Sequence, residues 1–444
     1  MRTQQNRVKM KKNYLFGILS LLAITPAMAQ SNEPATLNAI VVKALDYYPK
    51  LKEQKVQLEV NDYKTDITKS KYLPTVTGDA MYRHVYPDSY AEFGGGRMSF
   101  YPLDQWDAGV KVNQLIYDFG KTGAEVQKSK NEKKLSEDNY RSNSFNFAYQ
   151  IANVYNNIIF INKSIDAIDA QIEVLSGTKK IIDSRIRNGV GIEFDLVSTQ
   201  VKLNDAINRK TELQNTLQKN IILLNTLSGT SFNSSSISFK SFDYELRQHS
   251  ADSIFSIAQT TNTELASARS KQEVAASELK ITEKTWAPSL NFMGGVGYKN
   301  GYFPGDLYDM KFNYNVGAGL SIPIYTGGRN DNQHNISKVN YKATQYNLDA
   351  VSINLKKDIQ QNIADEGTAK EKVVFSATQV EQAQKALDLA NSRFKNGVIT
   401  NIELLDAQSN LLKAKVEQIQ FEYQLATTQL ELKRLMGVQF WNNN

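Results

Sequence analysis

Apolar residues recur along much of this chain at alternating steps of four and three. The clearest run is Phe147, Ile151, Val154, Ile158, Ile161, Ile165, Ile168, Ile172 and Leu175. Such a heptad seam predicts a long helix packed against a partner. No glycine or proline lies between Gly123 and Gly177. Continued to Asn188, the rod is on the order of 100 Å at 1.5 Å per residue. Asn188-Gly189 then marks a reversal, because glycine takes φ > 0 freely and asparagine tolerates it. A return helix follows, carrying Leu196, Leu203, Ile207, Leu217, Ile221 and Leu224 and ending near Gly229.

The same design appears twice. Ser184–Gln200 reads SRIRNGVGIEFDLVSTQ, and Ser392–Gln408 reads SRFKNGVITNIELLDAQ, 208 positions later. Ile116-Tyr117 repeats as Ile324-Tyr325, and Leu227-Ser228-Gly229 as Leu435-Met436-Gly437, both at the same spacing. The two helical hairpins therefore have equal length. The second seam is weaker and runs through Leu355, Ile359, Ala369, Val373, Val380, Ala383, Leu387 and Phe394.

Ahead of each long helix the period drops from 3.6 to 2. Val76, Gly78, Ala80 and Tyr82 alternate with Thr77, Asp79, Met81 and Arg83. Trp106, Ala108, Val110 and Val112 alternate with Asp107, Gly109, Lys111 and Asn113. Leu290 to Tyr298 and Phe312 to Ile322 repeat the pattern. Each pair reads as two strands around a loop, the first loop holding Gly94-Gly95-Gly96. Pro74 and Pro288 open the strands 214 positions apart, which places the extra length of the first repeat in that loop. Shorter helices precede both strand pairs, broken at Pro49 and near Asn262. The expected organisation is a segment 1–29, a first repeat 30–241 and a second repeat 242–444. The first repeat has helices in 36–71, a β-hairpin in 75–117 and a helical hairpin in 122–229. The second has them in 252–285, 289–325 and 330–437.

Charge changes the picture once the first residues are set aside. The formal net charge is +6, but residues 1–29 hold Arg2, Arg7, Lys9, Lys11 and Lys12 and no acid. The remainder is close to neutral, which removes the case for a nucleic-acid partner. That segment has a basic start, an apolar run from Tyr14 to Ile24 and Ala27-Met28-Ala29 before Gln30. It reads as a cleaved export signal, too short to span a bilayer. There is no cysteine, hence no disulfide or thiolate site. His84, His249 and His334 have no metal-ligand spacing, so no metal or cofactor is expected. Gly120-Lys121-Thr122 imitates a phosphate-binding loop, but Leu115 stands where its first glycine belongs. No catalytic constellation is present in the sequence, and the chain does not read as an enzyme.

The strands impose the strongest demand. One face is apolar with aromatics, the other small or polar, as for a wall between lipid and a lumen. Lipid tolerates only closed barrels, and four strands do not close one. A dimer supplies eight strands and a trimer twelve; the polar inner face favours the wider barrel.

In this order of elements the chain resembles the TolC-type outer-membrane efflux protein family. The resemblance covers the mature chain. It rests on Tyr-Leu-Pro at 72–74 and Trp-Ala-Pro at 286–288, Ile-Tyr-Asp-Phe-Gly at 116–120 and Ile-Tyr-Thr-Gly-Gly at 324–328, and the Asn-Gly-Val tips. It implies a mainly α fold with a β-barrel portion, in a homotrimer. Twelve strands, four per chain, would cross the outer membrane of a Gram-negative bacterium, continued by a periplasmic α-helical barrel. It implies a passive duct for small toxic compounds, working with a periplasmic adaptor and an inner-membrane pump. The alternatives are an outer-membrane duct for protein secretion and, from another class, a soluble periplasmic coiled-coil scaffold.

The resemblance assigns residues only by position. The adaptor-docking tips correspond to Asn188, Gly189 and Val190 and to Asn396, Gly397 and Val398. The acidic pair of the entrance corresponds to Glu403 and Asp406, and the constriction aspartate to Asp195. A tyrosine and an arginine that lock the entrance in the family are replaced by Phe394 and Ile399. Arg185 and Arg393, one turn earlier, are the candidate substitutes. Simpler readings exist. Thr400-x-x-Glu403 is also a capping box, and Asp195 suits a helix N-terminus through the dipole alone. Both arginines likewise suit helix C-termini.

Overall fold

The computed structural model describes residues 36–233, 242–246, 250–302 and 306–441. The expected export signal and most of the Ser-rich linker before Phe242 lie outside the described residues.

Fourteen elements follow one another in two matching series among the described residues. The first is α1 (Leu37–Tyr47), α2 (Pro49–Ser70), β1 (Thr75–His84), β2 (Tyr90–Phe93), β3 (Gly96–Ser99), β4 (Asp104–Tyr117), α3 (Lys121–Arg187) and α4 (Glu193–Ser228). The second is α5 (Ala251–Thr261), α6 (Thr263–Glu283), β5 (Ser289–Lys299), β6 (Lys311–Ser321), α7 (Arg329–Lys395) and α8 (Asn401–Met436). Helices α3 and α7 have 67 residues each, and α4 and α8 have 36 each. At 1.5 Å per residue the two rods are each about 100 Å long. The loop expected around Gly94-Gly95-Gly96 is more ordered than that. Gly94 and Gly95 both have positive φ, and their turn folds the segment into the β2–β3 ribbon.

Strands β1, β4, β5 and β6 form one antiparallel sheet in that order. Its outer edges are β1 and β6, and neither has a further partner among the described residues. The register puts Tyr82 opposite Trp106 and Tyr298 opposite Phe312 on one face, at the end away from the helices. Val76, Val110, Val112, Val296 and Val316 share that face and form an apolar band. The other face carries Asp79, Arg83, Asp107, Lys111, Lys299, Lys311 and several glycines. Two of the glycines are required by close approach. A Cβ on Gly109 would lie 2.6 Å from the Val296 carbonyl oxygen, and one on Gly297 would lie 2.5 Å from that of Ala108.

The helices pack as their seams predict. Within α3, Phe147, Ile151, Val154, Ile158, Ile161, Ile165, Ile168 and Leu175 are all buried, and Ile172 is partly so. From Phe147 to Ile165 they meet α1 and the end of α4 in the largest core cluster, which Phe242 and Trp441 close, while Ile168, Ile172 and Leu175 pack further along with Leu203, Ala206 and Leu405. One residue of the expected pattern, Ile207, does not follow it and stands exposed.

Within the chain the two hairpins touch mainly through α3 and α8. Helices α4 and α7 lie to the outside of that pair. Their outer faces leave Val197, Val201, Phe375 and Leu389 bare.

Candidate functional site at the helical tips

The two tips are built alike. After α3, Gly189 has φ 76° and donates its N–H to Ile186 O, while Val190 donates to Arg185 O. After α7, Gly397 has φ 72° and donates to Phe394 O, while Val398 donates to Arg393 O. This pair of bonds is the Schellman stop, which needs a residue that tolerates positive φ. Asn188 and Asn396 are the C-caps. The tips differ one step later. Gly191 leaves no room for a side chain, since a Cβ there would lie 2.5 Å from Ile186 N. The matching position holds Ile399, which packs into the apolar tip cluster.

The tips close on each other around a cleft of about 310 Å³. It is lined by residues of both, including Arg185, Ile192, Asp195, Phe394, Asn401 and Ile402. Arg185 crosses from the first hairpin to the second. One of its Nη atoms donates to Phe394 O at 2.8 Å and to Lys395 O at 3.2 Å. Its guanidinium also stacks on the Phe394 ring, 4.5 Å from the centroid. Phe394 itself is buried among Ile182, Leu387, Leu404 and Leu411.

A second stitch runs the other way. Asn401 Nδ2 donates to Asp195 O at 3.2 Å and to Thr199 Oγ1 at 3.1 Å. One heptad up α8, Gln408 Nε2 donates to Thr178 Oγ1 at 2.9 Å. Asn401 and Gln408 are almost completely buried, and among the described residues their side-chain oxygens have no partner. These four polar residues are absent from the sequence reading. Their signal was there: amide side chains seven positions apart, at the spacing of a helix seam.

The remaining candidates fall around this core. Glu403 closes a full capping box with Thr400, accepting from its backbone N–H at 2.7 Å. That bond, then the one from the Thr400 hydroxyl, then the charge of Arg393, hold its carboxyl below the usual carboxylate range. Arg393 thus serves its own turn, whereas Arg185 spans two hairpins. Asp406 is exposed on α8, one turn past Glu403. The Asp195 backbone anchors Asn401, and its side chain lines the cleft. Among the described residues no group of histidine, cysteine or acidic side chains is placed to hold a metal ion. No described helix is long and apolar enough to cross a membrane. Among the described residues the sheet is built with one apolar and one polar face, as a barrel wall in lipid requires.

The family model for outer membrane efflux proteins matches residues 40–230 and 254–438. The chain belongs to that family. The two matched stretches are the two halves of the repeat described above. The outer membrane protein TolC of Vibrio cholerae is 22% identical over 344 residues, 75% of this chain and 77% of that protein. The outer membrane efflux protein BepC of Brucella suis is 20% identical over 420 residues, 94% and 88% of the two chains. The alkaline protease secretion protein AprF of Pseudomonas aeruginosa is 20% identical over 339 residues, 76% and 70% of the two. Among solved structures, the outer membrane protein VceC of Vibrio cholerae superposes with a TM-score of 0.76 at 18% identity. That match covers 91% of this chain and 96% of VceC. This family member is accordingly an outer-membrane efflux duct that reaches into the periplasm, and not an enzyme.

Proposed function

We propose that three copies of this chain form the exit duct of a tripartite efflux system, open to the outside through a shared twelve-stranded barrel. The observation that carries this reading is the four-stranded sheet with two unpaired edges, one apolar face and one polar face. Edges left unpaired in lipid cost several kcal/mol per backbone group, so β6 of one copy pairs with β1 of the next. Twelve strands leave a water-filled lumen, whereas eight are filled by side chains. The bare outer faces of α4 and α7 supply the matching helical contacts between copies.

The tips Asn188-Gly189-Val190 and Asn396-Gly397-Val398 dock the periplasmic adaptor, with the inner-membrane pump below. Val190 and Val398 are both largely exposed there. The entrance is a constriction lined by Asp195, Glu403 and Asp406, a ring that favours cations. Arg185 and Phe394 hold it shut by tying the two hairpins of each copy together, in place of the family's tyrosine and arginine. Opening separates the hairpins. The duct itself performs no chemistry, and the gradient is supplied by the pump. Protein secretion is the second reading, favoured by the relative AprF; a drug pump or a protein exporter as copurifying partner separates the two.

The deciding experiment is mass in detergent followed by reconstitution in planar bilayers. A trimer that conducts ions is expected. A monomer soluble without detergent and silent in bilayers overturns the reading.

A further inference from the structure

The polar face of the sheet is not evenly charged. Near its middle, Lys111 pairs with Asp79 at 3.3 Å and the two cancel. Toward the loop end lie Arg83 on β1, Asp107 on β4, Lys299 on β5 and Lys311 on β6. Alternation and register put all four on the same face as that ion pair. Lys299 and Lys311 are directly opposite one another. Like charges in facing positions destabilise a strand pair, so the sheet keeps this arrangement against its own stability. Asp107 faces Lys299 from the other side in the register. Even so, among the described residues Arg83, Lys299 and Lys311 make no ion pair. Lys299 instead lies over the Tyr302 ring, 4.9 Å from its centroid. Arg83, Asp107, Lys299 and Tyr302 border a concavity of about 240 Å³.

Three cations against one anion leave each copy with an excess of two positive charges on this wall. Acidic groups stand beyond the ends of the four-stranded sheet: Glu92 on the β2–β3 ribbon, Asp306 and Asp309 in the second loop, and Asp88, which pairs with Arg97. Asp104, on the opposite face, is bound to His84 and Tyr82.

We propose that Arg83, Lys299 and Lys311 form a ring on the inner wall of the outer mouth that binds small organic anions and favours their exit. Repeated in three copies, it concentrates carboxylates, sulfonates or phosphate esters at the last stage of the path. Its sign is opposite to that of the acidic tips, so the two ends of the duct select differently. Rings of charged side chains set the ion preference of wide pores, because a low-dielectric wall focuses their field. The inference rests on the shared-barrel reading above.

The test uses the full-length protein in planar bilayers. The chloride-to-potassium permeability ratio is read from the reversal potential in a tenfold KCl gradient. Inorganic pyrophosphate is then added on the loop side as a model polyvalent anion. For wild type, pyrophosphate is expected to reduce the current from the loop side more than from the tip side. The double variant Lys299→Gln/Lys311→Gln should lower the permeability ratio by about two- to threefold and abolish the sided block. Arg83→Gln, on a different strand, should shift both in the same direction to a smaller extent. Wild-type channels without sided block, or variant channels of unchanged selectivity, overturn the ring and leave the barrel standing. Wild-type protein that forms no channel overturns the barrel, and the ring with it.

Discussion

Arg185 and Phe394 belong to different hairpins, 209 positions apart in the sequence, yet the arginine donates to the phenylalanine carbonyl at 2.8 Å. The same guanidinium stacks on the ring, so one side chain makes both a charge-assisted hydrogen bond and a cation–π contact. Arg393, its counterpart in the second repeat, makes neither among the described residues.

The two arginines should therefore differ as variants. At a half-exposed site, Arg185→Ala removes contacts worth about 1–2 kcal/mol. Open-state population should rise about tenfold, read from single-channel open probability. Arg393→Ala should leave gating close to wild type. Equal behaviour of the two would mean that the contact between hairpins has no part in closure.

The buried amide layer offers a change in the opposite direction. Gln408 donates to Thr178, but its own oxygen is buried without a partner. Replacing both with apolar residues of similar shape removes that unmet acceptor. Thr178→Val/Gln408→Leu should raise tip stability by about 1 kcal/mol, whereas Thr178→Val alone should lower it. Hydrogen exchange of the α3 and α8 amides around these positions checks both signs.

The capping box makes the start of α8 sensitive to acid. Glu403 gives up its proton more readily in the fold than at its ordinary value of 4.5. Its contribution is thus complete above that value and disappears as pH falls through the lowered one. Amide protection over 401–404 should drop on such acidification, and Glu403→Gln should remove the pH dependence. Thr400→Ala should cost about 1 kcal/mol at any pH where the glutamate is charged.

The acidic entrance has a direct electrical test. Divalent cations on the tip side should block wild-type channels, and Glu403→Gln/Asp406→Asn should relieve that block by roughly an order of magnitude. If block is unchanged, neither acid faces the pore. If it is relieved, Asp406→Asn alone separates the two, because only Glu403 is also committed to a cap.

Glycine substitutions separate curvature from mere smallness in the sheet. Gly109→Ala and Gly297→Ala each drive a Cβ to within 2.6 Å of an opposing carbonyl oxygen. Both should sharply lower the yield of folded trimer. Gly78→Ala meets nothing within 4 Å and should fold as wild type. Heat resistance of the trimer on semi-native gels reads all three.

The chain's local order was legible in the sequence. Heptad spacing located α3 and α7, Asn-Gly pairs located both tips, and alternation located the four long strands. Each of these signals depends on residues a few positions apart, where backbone geometry and side-chain period act directly. The equal spacing of repeated motifs likewise predicted hairpins of equal length, and α3 and α7 have identical residue counts.

Tertiary structure alone decided which of the repeated pieces meet. A seam reveals that a helix has an apolar face, not which helix covers it, so nothing local says that α3 meets α8. From that choice follow the reach of Arg185 to Phe394, the bond of Asn401 to Asp195 and Thr199, and the difference between two arginines in matching positions. The β2–β3 ribbon was missed for a related reason. Its turn signal is the run of glycines that also marks a loop, and only the pairing of Tyr90 with Ser99 and its neighbours tells the two apart. Periodicity is a property of one chain segment, whereas a contact is a property of two, and the free energy that selects it is gained only when both are in place.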